Sequence, residues 1–131
     1  MGPVNWLAVA LGAIAFFAVG AVWYGALFGR AWQRLTGLRD APRGTAALRI
    51  MALTLLSELF VSATLGHLFA RTSPPDHVKL MMATGFALFV MTPAIGINYL
   101  HQRRPMALFL IDAGHFLFGM LALGAVFLVL D

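Results

Sequence analysis

Two carboxylates stand where a carboxylate is costly. Glu58 and Asp112 both fall inside long apolar runs. A charge at the centre of a membrane helix costs roughly 2.5–3.5 kcal/mol on insertion scales, so such a group faces protein or water. At roughly 3.6 residues per turn, Thr54, Glu58 and Ser62 share one helix face, and His115 shares the face of Asp112. A buried glutamate can handle a proton or cation, ligate a metal, or be hydrogen-bonded and purely structural. An Asp-x-x-His pair can relay a proton, hold a ligand or a divalent ion, or satisfy itself. Two ligands are too few for a convincing metal centre, so none is expected.

These groups must be positioned by membrane-spanning helices. Four apolar stretches, about 4–28, 46–70, 78–100 and 106–130, fill most of the 131 residues. Each reaches the length of about 20 residues needed to cross a hydrocarbon core. The chain is 61% hydrophobic and 11% charged, with a mean hydropathy of +0.87. A soluble domain carries about 25% charged residues, so an ordinary water-soluble core is excluded. Continuous apolar runs without alternation argue for helices over a β-barrel. The expected fold is all-α: a four-helix transmembrane bundle of two consecutive hairpins, forming a single domain over residues 1–131. There are no cysteines, which removes disulfides and thiolate chemistry.

The net charge of +4 is explained by lipid rather than nucleic acid. Arg30, Arg34, Arg39, Arg43 and Arg49 cluster after the first stretch, and Arg103 and Arg104 after the third, against Arg71 and Lys79 on the other side. The positive-inside rule then places both termini outside and the Arg-bearing turns in the cytoplasm, against anionic headgroups. The first stretch has no basic residue before it and its charges follow it, so a retained span is expected rather than a cleaved leader.

Local signals refine the elements. Ala8, Gly12 and Gly20, then Ala21, Gly25 and Gly29, give the first helix small residues for close packing. Trp23 and Tyr24 are expected as headgroup anchors. Arg30, Trp32 and Arg34 suit a short lipid-contacting interfacial helix ended by Gly37. Thr45 and Asp76 are expected to cap the second and third spans. Pro93 is expected to kink the third by removing a backbone bond to Phe89.

Depth arithmetic at about 1.5 Å per residue brings Thr54, Asp112, His115, Trp23 and Tyr24 to one layer, with Glu58 a turn deeper. Asn98, Tyr99 and His101 lie nearer the inner edge. All four spans thus offer polar groups to one cytoplasmic-side cluster, readable as an inward-facing vestibule or as a hydrogen-bonded knot. Phosphate-binding glycine loops, His-Glu-x-x-His and nucleophile elbows are absent from the sequence.

Gly20-Ala-Val-Trp-Tyr-Gly-Ala-Leu-Phe-Gly-Arg-Ala-Trp32 resembles the first-span motif of the domain-of-unknown-function family 1761. Gly96-Ile-Asn-Tyr-Leu100 and Ile111-Asp-Ala-Gly-His115 look like its third- and fourth-helix motifs. The resemblance covers essentially the whole chain. It implies a small four-span integral membrane protein, mostly bacterial, hence an inner-membrane location, and it supplies no activity. Where the family often has proline after Tyr-Gly, Ala26 here leads us to expect an unbroken helix end.

The reading that follows is a ligand-binding or transport-type protein, without cofactor and expected to be a homo-oligomer, because four short helices enclose little space. Glu58, Asp112 and His115 are its candidate titratable groups, and Tyr24, Thr54 and Asn98 its hydrogen-bonding wall. A structural or accessory subunit binding a partner or anionic lipid is an alternative. So is a membrane-embedded enzyme on a lipidic substrate, with Asp112 and His115 as acid/base and Tyr24 as donor.

Overall fold

Helix formation here follows from the absence of water: apolar runs of this length bury backbone polar groups only by pairing them within the segment. The computed structural model describes residues 2–131, and they form an all-α chain. Helix α1 covers Trp6–Val22 and widens into a π turn at Trp23–Leu27; α2 covers Gly29–Thr36 and α3 Gly44–Thr72. Helix α4, Asp76–Phe86, passes through a second π turn at Ala87–Met91 into α5, Thr92–His101, and α6 runs Met106–Leu130. Four helical runs are long and apolar enough to cross a membrane: Trp6–Leu27, Gly44–Thr72, Asp76–His101 and Met106–Leu130.

Helices α1 and α6 form the central pair. Small residues let them meet. Phe16 of α1 lies where a Cβ on Gly119 would stand, and the His115 ring nitrogen lies 2.9 Å from the place of a Cβ on Gly20. Helix α3 also packs on α1, running antiparallel to it, and its Gly66 and Phe69 reach Phe127 of α6 as well. Ser62 Oγ donates to the Val9 carbonyl at 2.7 Å, directly over Gly12. Helices α4 and α5 pack on α6, where Gly124 admits Ala83 and Leu80. The core is therefore centred on Val9, Phe16, Leu65, Phe69, Met120, Leu123 and Phe127.

The end carrying both termini is stitched by polar side chains. Asn5 caps α1 by accepting from the Ala8 N–H at 3.0 Å, and its Nδ2 donates to the Leu130 carbonyl at 2.8 Å. Lys79 is buried and reaches Asp131 at 3.4 Å and Asp76 at 3.5 Å. Asp76 thus pairs with a lysine instead of capping, and Pro75 takes the cap position of α4. Thr45 likewise lies inside α3, whose cap position is Arg43.

The opposite, Arg-bearing end is looser. Every residue from 48 to 57 of α3 is exposed. This half of α3 parts from α1, so the contact face ends near Glu58. Helix α2 ends where Gly37 turns left-handed at φ 75, a conformation that costs glycine nothing.

The break before α2 corrects the expectation of an unbroken helix end at Ala26. The Phe28 N–H donates to the Trp23 carbonyl at 2.7 Å, one residue beyond α spacing, and Phe28 then leaves the helical region with φ −116. Gly29 follows because the Tyr24 carbonyl occupies the space of a Cβ there. Pro93 is also accommodated by widening: the N–H of Thr92 and its Oγ1, the latter at 2.8 Å, both reach the Ala87 carbonyl in the π turn just before it. Such bulges are a recognised way to absorb an interrupted ladder.

Candidate functional site

The first π turn decides where the aromatic pair points. Trp23 and Tyr24 turn in towards α6 rather than out to the headgroups. Trp23 Nε1 donates to the Ile111 carbonyl at 2.9 Å, and its indole lies over Gly114, 2.8 Å from the place of a Cβ there. Phe28 and Phe118 flank it, at centroid distances of 4.7 and 5.4 Å.

Tyr24, one residue on, donates its hydroxyl to Asp112 Oδ1. Tyr99 of α5 donates to Asp112 Oδ2. A buried carboxylate on α6 is thereby held between hydroxyls from two other spans, and both oxygens are occupied. The partners are hydroxyl donors rather than cations, one to each carboxyl oxygen.

His115 sits one turn further along α6. Its ring packs against Tyr24 and Phe116, each at 5.0 Å, and against Phe16 at 5.5 Å. Its Nε2 is aimed at Gly20 and has no hydrogen-bond partner. Glu58 is 6% exposed and its Oε2 is likewise unpartnered. By the register of Ser62 over Gly12, Glu58 stands about one turn towards the Arg-bearing end, near the level of Phe16. Unpartnered buried polar atoms are uncommon in folded proteins, and each asks for an explanation.

The expected candidates therefore divide. Tyr24, Asp112 and His115 come together, with Glu58 a layer away. Thr54 does not join them: it is exposed, and its hydroxyl donates to the Ile50 carbonyl at 2.8 Å because α3 has already left α1. Asn98 is exposed as well. It stands about 100° round the helix from its neighbour, and that neighbour, Tyr99, takes the place expected of it. Asp112 and His115 share a face as expected, but the carboxylate bonds to tyrosines and leaves the imidazole nitrogen open. Trp32 is half-buried, with its ring edge-on to Tyr24 at 6.0 Å, whereas Arg30 and Arg34 are exposed.

Tyr99 had one usable signal. The turn between α5 and α6 is tight, with the Arg104 N–H donating to the Tyr99 carbonyl at 2.9 Å. An antiparallel pair so joined places Gly96 against Phe109, and the length of a tyrosine covers the remaining turn to Asp112. Among the described residues, no three His, Asp or Glu side chains converge as a metal site would require.

Four apolar helices of spanning length, with a polar cluster between them, define a multi-pass membrane protein by build. The family model described as "Protein of unknown function (DUF1761)" matches residues 7–128, and the chain belongs to that family. Neither a curated protein nor a solved structure matches it.

Proposed function

We propose that this protein is a ligand-binding or transport-type protein of the bacterial inner membrane. Its termini lie outside, and its polar cluster opens towards the cytoplasm. The observation that carries the reading is Asp112, a buried carboxylate held by Tyr24 and Tyr99 beside an open His115 nitrogen. A purely structural knot would be expected to close on itself; this one leaves His115 Nε2 without a partner, and a layer away Glu58 Oε2 is unpartnered too. The parting of α3 from α1 lies on the same side as the cluster, which gives it a way out.

The orientation rests on seven arginines at the Arg-bearing end against Arg71 and Lys79 at the other. On α2, the exposed Arg30 and Arg34 meet anionic headgroups in this arrangement. The pathway forms with the help of a second copy, because α3 leaves its Arg-side half unpacked. Reconstituted vesicles test the reading. Flux of a cationic probe down an imposed gradient should fall at least tenfold in Asp112→Asn and in Glu58→Gln. Unchanged flux in both variants refutes it.

One observation favours an accessory role as a second reading. The exposed Arg-side half of α3 carries Leu48, Ile50, Met51 and Leu53 all round its circumference, an apolar surface open to another membrane helix. Crosslinking from these positions to a different polypeptide, with no flux in vesicles, would favour that role.

A further inference from the structure

Between α1 and α3 the chain stays close to the ends of two spans. It leaves the first at Leu27 and enters the second at Gly44. The segment between carries Arg30, Arg34, Arg39 and Arg43 against one carboxylate, Asp40. On α2, Trp32 is half-buried against Tyr24 while Arg30 and Arg34 are exposed. That two-sidedness suits a helix lying in the headgroup layer. At its last turn lies a cavity of about 320 Å³, lined by Gln33, Arg34 and Gly37 and by Arg39 of the loop that follows. The left-handed turn at Gly37, φ 75, ends the helix and leads the chain round to Arg39.

This lining selects an anion. It holds two guanidinium side chains, an amide and a glycine, and no acid. Among the described residues neither arginine is paired with a carboxylate, and Asp40 is not part of the wall. The carboxyl end of a helix carries about half a negative charge, too little to cancel two guanidinium groups. Part of it is already answered: the Gly37 N–H donates to the Gln33 carbonyl at 3.0 Å, and Thr36 Oγ1 to the Trp32 carbonyl at 2.8 Å. The planar fork of arginine matches phosphate oxygens. A zwitterionic headgroup would bring an ammonium for which the wall has no carboxylate. The volume is at the lower end of ligand-site sizes, about 300–1,000 Å³, which admits a headgroup. Leu38, exposed beside Gly37 and Arg39, gives acyl chains an apolar neighbour.

We propose that this cavity holds the phosphate of one anionic glycerophospholipid between Arg34 and Arg39, with Gln33 beside the glycerol. The inference rests on the headgroup contact proposed for α2, sharpens it to a single site, and is independent of transport.

Titration of phosphatidylglycerol into the full chain in neutral detergent micelles tests this, with bound lipids counted by native mass spectrometry and phosphatidylcholine run in parallel. One phosphatidylglycerol should bind ahead of the rest, about tenfold tighter than phosphatidylcholine. Arg34→Gln and Arg39→Gln should each weaken that first lipid about tenfold. Arg30→Gln removes the same charge from α2 outside the cavity and should weaken it less than about twofold. All three positions are exposed, so the helix packing is untouched. Equal loss in all three variants means diffuse attraction; it overturns the site and leaves the headgroup contact standing. No preference for phosphatidylglycerol overturns both. Displacement of the lipid by equimolar glycerol 3-phosphate overturns the assignment to a lipid rather than a free phosphate.

Discussion

The Tyr24–Asp112–Tyr99 bridge can be weighed by removing one hydroxyl at a time. A hydrogen bond to a charged group is worth about 1.5–3 kcal/mol in soluble proteins. Interhelical bonds in a membrane protein average only about 0.6 kcal/mol, with a ceiling near 1.7, because the unfolded helices find other partners. Asp112 is 7% exposed and both its oxygens are filled by tyrosines. Water is poorly placed to substitute there, so the upper end of the membrane range applies. We expect Tyr24→Phe and Tyr99→Phe each to cost about 1.5 kcal/mol, roughly a tenfold change in the unfolding equilibrium. The double variant should depart from the sum, because both hydroxyls bond the same carboxyl group. Equilibrium unfolding in mixed micelles measures this, with each tyrosine also replaced in an Asp112→Leu background. There the hydroxyl has lost its acceptor, and the tyrosine should become dispensable to within about 0.5 kcal/mol. If Tyr24→Phe costs as much in that background as in the wild type, the bridge carries no energy and the reasoning fails.

Further outcomes follow from the helix contacts. Gly12→Ala places a Cβ 2.8 Å from Ser62 Oγ and 3.2 Å from Leu123, so it should lower stability by about 1–3 kcal/mol through overpacking in the same unfolding assay. Gly25→Ala meets nothing within 4 Å and should be neutral or slightly stabilising, by up to about 1 kcal/mol. Lys79→Met removes the tie from α4 to Asp131; because Asp76 is largely exposed, the loss should be about 1 kcal/mol, seen as faster hydrogen exchange at the last turn of α6. Asn5→Ala loses both a cap and the bond to Leu130 and should cost about 1–2 kcal/mol, with fraying confined to the terminal side.

Much of the architecture could be read from hydropathy, because lipid allows few alternatives to a helix. The four stretches, the short helix stopped by Gly37 and the layer of polar groups all follow from residue type and spacing. The misread positions share a cause: assuming ideal α geometry. Thr54 is on the stripe of Glu58 and Ser62, but a stripe does not say where two helices part. Asn98 and Tyr99 differ by one step round a helix that has just passed a π turn, which rotates everything beyond it. Position near a helix end makes Trp23 and Tyr24 read as anchors. The widened turn and the glycines opposite, Gly114 and Gly20, redirect that region into the interior. The open nitrogen of His115 depends on Asp112 choosing tyrosines, which is a tertiary fact.

The chain has no cysteines, so one introduced thiol reports without background. Thr54 lies on the stripe that faces α1, at the level where α3 has parted from it, and it is exposed. A thiol there reacts with a water-soluble maleimide only if water reaches the gap. Thr54→Cys should be labelled from the cytoplasmic face of inverted vesicles and not from outside intact cells. Labelling from outside, or no labelling from either side, would contradict an inward-opening polar cluster.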